Sequence, residues 1–286
     1  MEDKMKKFIK VGVLAICIVA LLAVLLIAVI IPNFKLSKQY DESVELMNSG
    51  KYAEAIKSFE KIMNYKDSAE MIEKIKLSSI EKAEIGDSVW FGAYEQDNNL
   101  ENGKETVEWI VLDKVDGKIV VTSKKGLDYK SYNDEQTEVT WENSSIRKWL
   151  NGEFYNESFS DKEKEMISKE MVINYESVNF ETGEYEKVYD NIFLLTNFEV
   201  EYYMAFADRR REPTNYALSQ KDWHNLIGTD DEFGDNCEWW TRSAEEDYWG
   251  FSYQYGFVEK DGNLSWRMGD CVTTMAVLPA MWIKVE

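Results

Sequence analysis

The sequence predicts an α+β external domain that follows a transmembrane helix and a small all-α stalk. Three observations support this prediction. An unbroken apolar run lies near the start of the chain, the next segment has helical periodicity without proline, and the remainder mixes hairpin signals with short helices. The chain has 286 residues, of which 44% are hydrophobic, so it is long enough to bury a core.

The composition excludes several classes of protein. There are 53 acidic and 33 basic side chains, and the net charge of −20 argues against a nucleic-acid partner, whose binding needs clustered lysine and arginine. One histidine rules out multi-histidine metal sites, and three cysteines rule out four-cysteine zinc sites. We therefore predict no cofactor, with calcium as the exception discussed below.

The start of the chain has the features of an uncleaved signal anchor. Residues 11–31 carry no charge and are long enough to span the hydrocarbon core as a helix, and Pro32 and Asn33 end the run. A cleaved signal peptide would have a shorter apolar core and a small-residue cleavage site. Residues 1–10 form a basic tail that stays cytoplasmic by the positive-inside rule. We therefore predict a single-pass protein of the cell membrane with an extracytoplasmic C-terminal domain.

The charge is divided unevenly along the chain. Residues 1–35 hold five lysines and two acidic residues, a net charge of +3, so the remainder carries −23. We expect this external part to be repelled by anionic lipid and wall polymers and to stand away from the membrane surface.

Residues 36–82 are predicted to form a helical stalk. Four residues recur at helical spacing and share one face, namely Tyr52, Ala55, Ile56 and Phe59. Together with Gly50, which suits a turn between helices, they resemble a tetratricopeptide unit. Because about one repeat is present and solenoids need about three, a packed spacer is favoured over a peptide-binding groove. The stalk is also a candidate for self-association.

Residues 84–286 are predicted to form the external α+β domain, which begins with hairpins and short helices. Residues 110–123 and 253–266 each contain two short strands around an Asp-Gly pair, at Asp116-Gly117 and Asp261-Gly262. An Asp-Gly pair between two hydrophobic runs is a strong hairpin signal.

Helices and a closing strand complete the predicted domain. One helix is expected within residues 144–159 and should end near Gly152, and a second begins at Ser160, where Glu163 completes a capping box. A third short helix starts near Asn197. Residues 276–285 are expected to form a final strand that pairs back into the sheet.

Five motifs, in this order, resemble a bacterial surface-protein domain family of unknown function. They are Gly92-x-Tyr94-x-Gln96, EWIVLD over residues 108–113, residues 139–160, NCEWWTRS over 236–243 and VLPAMWI over 277–283. The family reads W-W-x-R-S, closes with V-R-P-A-L-W-I and is similar to the C-type-lectin-like fold, including the sulfatase-modifying factors. The resemblance implies that fold and a surface location, and it implies no activity.

The residues of these motifs have an expected structural role. In such a fold we expect Trp239, Trp240 and Trp282 to belong to the core, and Arg242 to pair with an interior carboxylate or with carbonyl groups. Leu278 stands where the family usually has arginine, so a pairing made by that arginine is absent here.

Late aromatic residues are the candidate ligand-binding residues. We single out Tyr248, Trp249, Tyr253 and Trp266, because sugars stack on aromatic faces and strand alternation turns part of this set towards solvent. The alternative is that all of them are packing residues.

Two further sites are candidates in the same region. Asp230, Asp231 and Asp235 offer the hard oxygen ligands that calcium prefers, although a solvated acidic loop is the simpler interpretation. Cys237 and Cys271 lie outside the membrane and could form a disulfide there, with two free buried thiols as the alternative.

These features favour a non-catalytic binding module whose ligand is a glycan, a peptide or a partner protein of the cell envelope. One alternative is an envelope enzyme, either a hydrolase or a cofactor-dependent oxidase. Another is a structural or assembly protein that acts through its stalk. The single histidine and the lack of a nucleophile signature favour the binding module over the enzyme.

Overall fold

Two units make up the chain, Met1–Ile75 and Lys76–Glu286. The structure is a computed structural model that describes residues 2–178, 182–221, 234–246 and 253–285. The mixture of helices with several β-sheets confirms the predicted α+β class.

The first unit begins with a long apolar helix. It comprises α1 (Glu2–Leu25), a π-helical turn (Leu26–Ile30) and α2 (Ile31–Asn48). Within the described residues, the stretch Gly12–Asn48 is the one helix long and apolar enough to cross a membrane. The apolar run ends at Pro32, but the helix continues, because Pro32 lies in the first turn of α2, where a helix does not need the missing N–H.

Two more helices follow, α3 (Tyr52–Glu60) and α4 (Ser68–Glu81). Gly50 ends α2 with a φ of 76°, which confirms the predicted turn. The side chains of Ala55, Ile56 and Phe59 are buried, as the helical spacing predicted. Ser43 Oγ also donates to Ser58 Oγ at 2.8 Å, which ties α2 to α3.

Hairpins and short helices build the second unit. The strands are β1 (Ser88–Tyr94), β2 (Glu105–Val115), β3 (Lys118–Ser123), β4 (Asp128–Ser131), β5 (Ile167–Ser168), β6 (Glu170–Val178), β7 (Tyr185–Asp190), β8 (Ile192–Phe193), β9 (Trp239–Glu246), β10 (Tyr253–Val258), β11 (Leu264–Met268), β12 (Thr274–Val277) and β13 (Ala280–Lys284). The helices are α5 (Ser145–Trp149), α6 (Tyr155–Ser158), α7 (Asp161–Met166), α8 (Asn197–Tyr203) and α9 (Asn215–Gln220). A π-helical turn, Leu150–Phe154, joins α5 to α6, so the predicted helix end near Gly152 is wrong.

The strands form two larger sheets and one separate hairpin. The first sheet has the order β1-β2-β3-β13-β5, with β8 also paired to β13, and the second has the order β11-β10-β9-β12-β4. Strands β6 and β7 pair with each other. All described pairs are antiparallel except β9 with β12.

The predicted hairpin turns and the predicted capping box are confirmed. Asp116 and Gly117, with φ values of 50° and 72°, turn β2 into β3, and Gly262, with a φ of 95°, lies between β10 and β11. The capping box of Ser160 and Glu163 starts α7.

The predicted closing strand over residues 276–285 is wrong as a single strand. The chain forms β12 and β13 instead, and these strands belong to different sheets. Proline has no N–H to donate to a ladder, so the strand breaks at Pro279 and the chain crosses from one sheet to the other. The expected return into the sheet is confirmed, because β13 pairs with β3.

Candidate binding surface

An exposed aromatic strip lies on the β6–β7 hairpin and α8. It consists of Tyr175, Tyr185, Phe198 and Tyr202, which are 52%, 43%, 56% and 72% exposed. The rings of Tyr175 and Tyr185 meet edge to face at 5.3 Å between centroids, and Tyr175 meets Phe198 at 6.4 Å. The rings of Phe198 and Tyr202 lie 6.3 Å apart and nearly parallel. The four side chains are therefore one continuous surface.

Strand alternation extends this surface across the hairpin. Tyr185, Lys187 and Tyr189 are exposed on β7, whereas Val188 is buried between the last two. The antiparallel register places Tyr189 opposite the exposed Met171 of β6. One face of the hairpin thus turns large apolar side chains to solvent next to the strip.

Helix α8 contributes two rings from its solvent-facing side. Asn197 and Val200 are buried, so Phe198 and Tyr202, one helical turn apart, point away from the core. A short helix with aromatic residues on its outer side was the signal in the sequence that could have identified the strip. The strip itself is a surface that we did not predict.

Glu176 joins the two parts of the strip. Its Oε1 accepts a hydrogen bond from the backbone N–H of Phe198 at 3.1 Å, and its Oε2 accepts one from the hydroxyl of Ser243. Burial raises the pKa of Glu176, against the opposing effect of these hydrogen bonds. The side chain thereby fixes the hairpin to α8 and β9, which keeps the strip in one arrangement.

An ion pair between a buried arginine and a partly exposed glutamate holds α8 on its inner side. Arg242 is fully buried and donates from Nη1 and Nη2 to the two carboxylate oxygens of Glu199, each at 2.6 Å. Nη2 also donates to the carbonyl of Ile173 at 3.0 Å, which lies on β6. Glu199 in turn completes the capping box of α8 with Thr196. One arginine thus connects β9, the hairpin and the helix that carry the strip.

Residues 116–285, which contain the strip and this ion pair, match the model of a domain of unknown function, DUF6273. The chain belongs to the DUF6273 family. No curated protein and no solved structure matches the chain significantly.

Of the four aromatic residues predicted to bind a ligand, the structure of this DUF6273 domain describes two, Tyr253 and Trp266. Tyr253 and Trp266 are both half-buried. Trp266 lies opposite Gly256, whereas Tyr253 is on the same side of β10 as Tyr255, so the two rings project from opposite faces of the sheet. Tyr248 and Trp249 lie outside the described residues.

The residues predicted to be structural are packed or half-buried. Trp239 and Trp240 are buried, and their indole N–H groups donate to the carbonyls of Arg209 and Lys130, each at 3.0 Å. Trp282 is half-buried on β13, where it packs against the core. With Arg242 in its ion pair, the W-W-T-R-S strand is a structural element of the domain.

Cys237 and Cys271 are free and buried, so the alternative of two unbridged thiols describes the structure. Cys237 Sγ donates to the carbonyl of Arg211 at 3.1 Å, and Cys271 Sγ lies 3.4 Å from the carbonyls of Glu135 and Thr137. Burial raises the pKa of Cys237 to about 12, which leaves little thiolate at neutral pH.

Of the predicted calcium ligands, Asp235 is exposed in a turn, and Asp230 and Asp231 lie outside the described residues. That site stays a prediction. A different group of carboxylates, Glu95, Asp97 and Glu105, places one oxygen of each residue within 4.8 Å of the others.

These three carboxylates are hard oxygen donors of the kind that a divalent cation prefers. Burial raises the pKa of Glu105, and the charges of Asp97 and Glu95 raise it further against two opposing backbone hydrogen bonds. The spacing in the sequence did not reveal the group, because the connection between β1 and β2 brings its members together.

Proposed function

We propose that this chain is a membrane-anchored, extracytoplasmic binding module without catalytic activity, and that the aromatic strip is its contact surface. The observation that carries the proposal is the exposure of four touching aromatic rings on a domain whose core, among the described residues, is rich in buried aromatic side chains. Large exposed apolar patches on a soluble domain mark interaction sites.

The anchor and its orientation are part of the proposal. The apolar helix within Gly12–Asn48 supports one membrane span, and the basic residues 1–10 support a cytoplasmic N-terminus. The expected outcome is that protease added to intact cells releases the C-terminal domain. Complete protection of that domain, with cleavage in permeabilised cells, would contradict this orientation.

The proposal includes a C-type-lectin-like arrangement for residues 84–286 and a tetratricopeptide-like role for the helices before it. Hairpins combined with short helices, and a closing strand that returns into a sheet, support the first. The buried face of α3 supports the second.

The test of the binding function uses the full chain in nanodiscs of zwitterionic lipid, presented to an envelope preparation from the source organism. We expect binding by the natural chain and its loss in the double variant Phe198→Ala, Tyr202→Ala. The matched control is Leu100→Ala, Met268→Ala, which removes two exposed apolar side chains elsewhere on the unit. Equal binding by the strip variant and the control variant would refute the proposal.

A further inference from the structure

The charge around the aromatic strip points to the kind of ligand that it binds. The residues that form β6, β7 and α8, together with Thr182–Glu184, contain one lysine, Lys187, and seven acidic residues, which are Glu170, Glu176, Glu184, Glu186, Asp190, Glu199 and Glu201. Three of the seven have a basic partner: Glu170 pairs with Lys118, Asp190 with Arg147 and Glu199 with Arg242. The local balance is therefore strongly acidic.

Two of the other carboxylates are accessible to a ligand. Glu184 immediately precedes β7 and Tyr185, and Glu201 precedes Tyr202 on α8, and both side chains are exposed. Within the described residues, no basic side chain pairs with either of them. The strip thus has an unpaired carboxylate next to the ring at one end, Tyr185, and another next to the ring at the other end, Tyr202.

The whole unit reinforces this local charge. Residues 1–75 carry eleven basic and ten acidic side chains, a net charge of +1. Because the whole chain has a net charge of −20, residues 76–286 carry a net charge of −21. A field of this sign speeds the approach of cations and repels anionic polymers.

We infer that the strip binds a lysine- or arginine-rich segment of a partner protein, an inference that rests on the proposed function. Exposed tyrosine and phenylalanine rings attract ammonium and guanidinium groups through their faces, and arginine also stacks on them. Glu184 and Glu201 then pair with further basic side chains of the same segment. A neutral glycan would stack on the rings and could donate hydroxyls to the carboxylates, but it would form no ion pair with them.

The experiment measures the binding of fluorescein-labelled octa-arginine to the full chain in zwitterionic nanodiscs, by fluorescence anisotropy at low and high salt. We expect binding that weakens with salt and that is about tenfold weaker in Phe198→Ala, Tyr202→Ala. The control Leu100→Ala, Met268→Ala should bind like the natural chain. A neutral N-acetylglucosamine tetramer, used as a competitor, should not displace the peptide.

A second pair of variants separates recognition from general attraction to an acidic protein. Glu184→Gln, Glu201→Gln and Glu81→Gln, Glu101→Gln remove the same number of charges from exposed positions, the second pair lying outside the strip. We expect the first pair to weaken binding several-fold more than the second and to reduce its salt dependence. Equal effects of the two pairs would overturn the inference, and so would displacement by the neutral tetramer.

The two proposals fail in different ways. Strip-dependent binding to the envelope preparation, combined with octa-arginine binding that ignores the strip, would leave the binding function standing and overturn the basic ligand. Loss of strip dependence in both experiments would overturn both proposals.

Discussion

Replacement of Arg242 by methionine should strongly destabilise the second unit, Lys76–Glu286. The guanidinium donates four hydrogen bonds, two to the carboxylate of Glu199 and one each to the carbonyls of Leu194 and Ile173. Methionine leaves the carboxylate without its cation and removes the guanidinium donor from both carbonyls. Removal of one partner from a buried pair typically costs about 3–5 kcal/mol, so we expect the free energy of unfolding to fall by about 4 kcal/mol.

A double-mutant cycle tests whether the loss comes from the pair itself. Glu199→Gln keeps an oxygen for the capping box of α8 but leaves the guanidinium without its counter-charge, and we expect a loss of about 2–3 kcal/mol. Because each single change breaks the same pair, the double variant should lose at least about 1 kcal/mol less than the sum of the single losses.

The assay is urea unfolding of the full chain in detergent micelles, followed by tryptophan emission, which includes Trp239 and Trp240 on the strand of Arg242. Arg210→Met, at an exposed arginine, is the matched control and should change stability by less than about 1 kcal/mol. The reasoning is refuted if Arg242→Met unfolds within about 1 kcal/mol of the natural chain with an unchanged denaturant slope.

Three further outcomes follow from the packing and ionisation of the second unit. Gly256→Ala should lower the free energy of unfolding by about 1–3 kcal/mol, because a Cβ there would lie 2.5 Å from the hydroxyl of Thr241. The control Gly152→Ala should leave the free energy of unfolding unchanged, because a Cβ there meets nothing within 4 Å. Equal melting temperatures of the two variants would contradict this prediction. Burial alone would raise the pKa of Glu163, but the Lys76 ammonium 3.0 Å away and Ser160 hold it below its usual value. The stability that this ion pair contributes is therefore present above the unfolded pKa of about 4.3 and is lost as the pH falls through the pKa of folded Glu163. The free energy of unfolding, measured with urea between pH 6 and pH 3, should fall less steeply in Lys76→Met than in the natural chain. Parallel pH profiles of the two proteins would count against the pair. Finally, the Cys237 thiol should resist alkylation in the folded chain at pH 7.5 and should react once the chain is unfolded in urea. Mass spectrometry measures the extent of alkylation in each state. Rapid labelling of the folded chain would show that the Cys237 thiol is not buried.

Features set by a few neighbouring residues could be predicted from the sequence alone. The Asp-Gly hairpin turns, the capping box at Ser160 and the apolar helix at the N-terminus depend on backbone preferences, caps and side-chain periodicity within one element. The same holds for the α+β class, which follows from the kinds of element present.

Features that join distant segments depended on the tertiary structure. The strip brings together Tyr185 and Tyr202, and the ion pair joins residues 43 positions apart, which no local pattern encodes. Strand register likewise decided that Tyr253 and Trp266 face opposite ways and that the closing segment serves two sheets. The physical reason is that a side chain's exposure and partners are set by what packs against its element, and this chain's own periodicity specifies only which residues share a face.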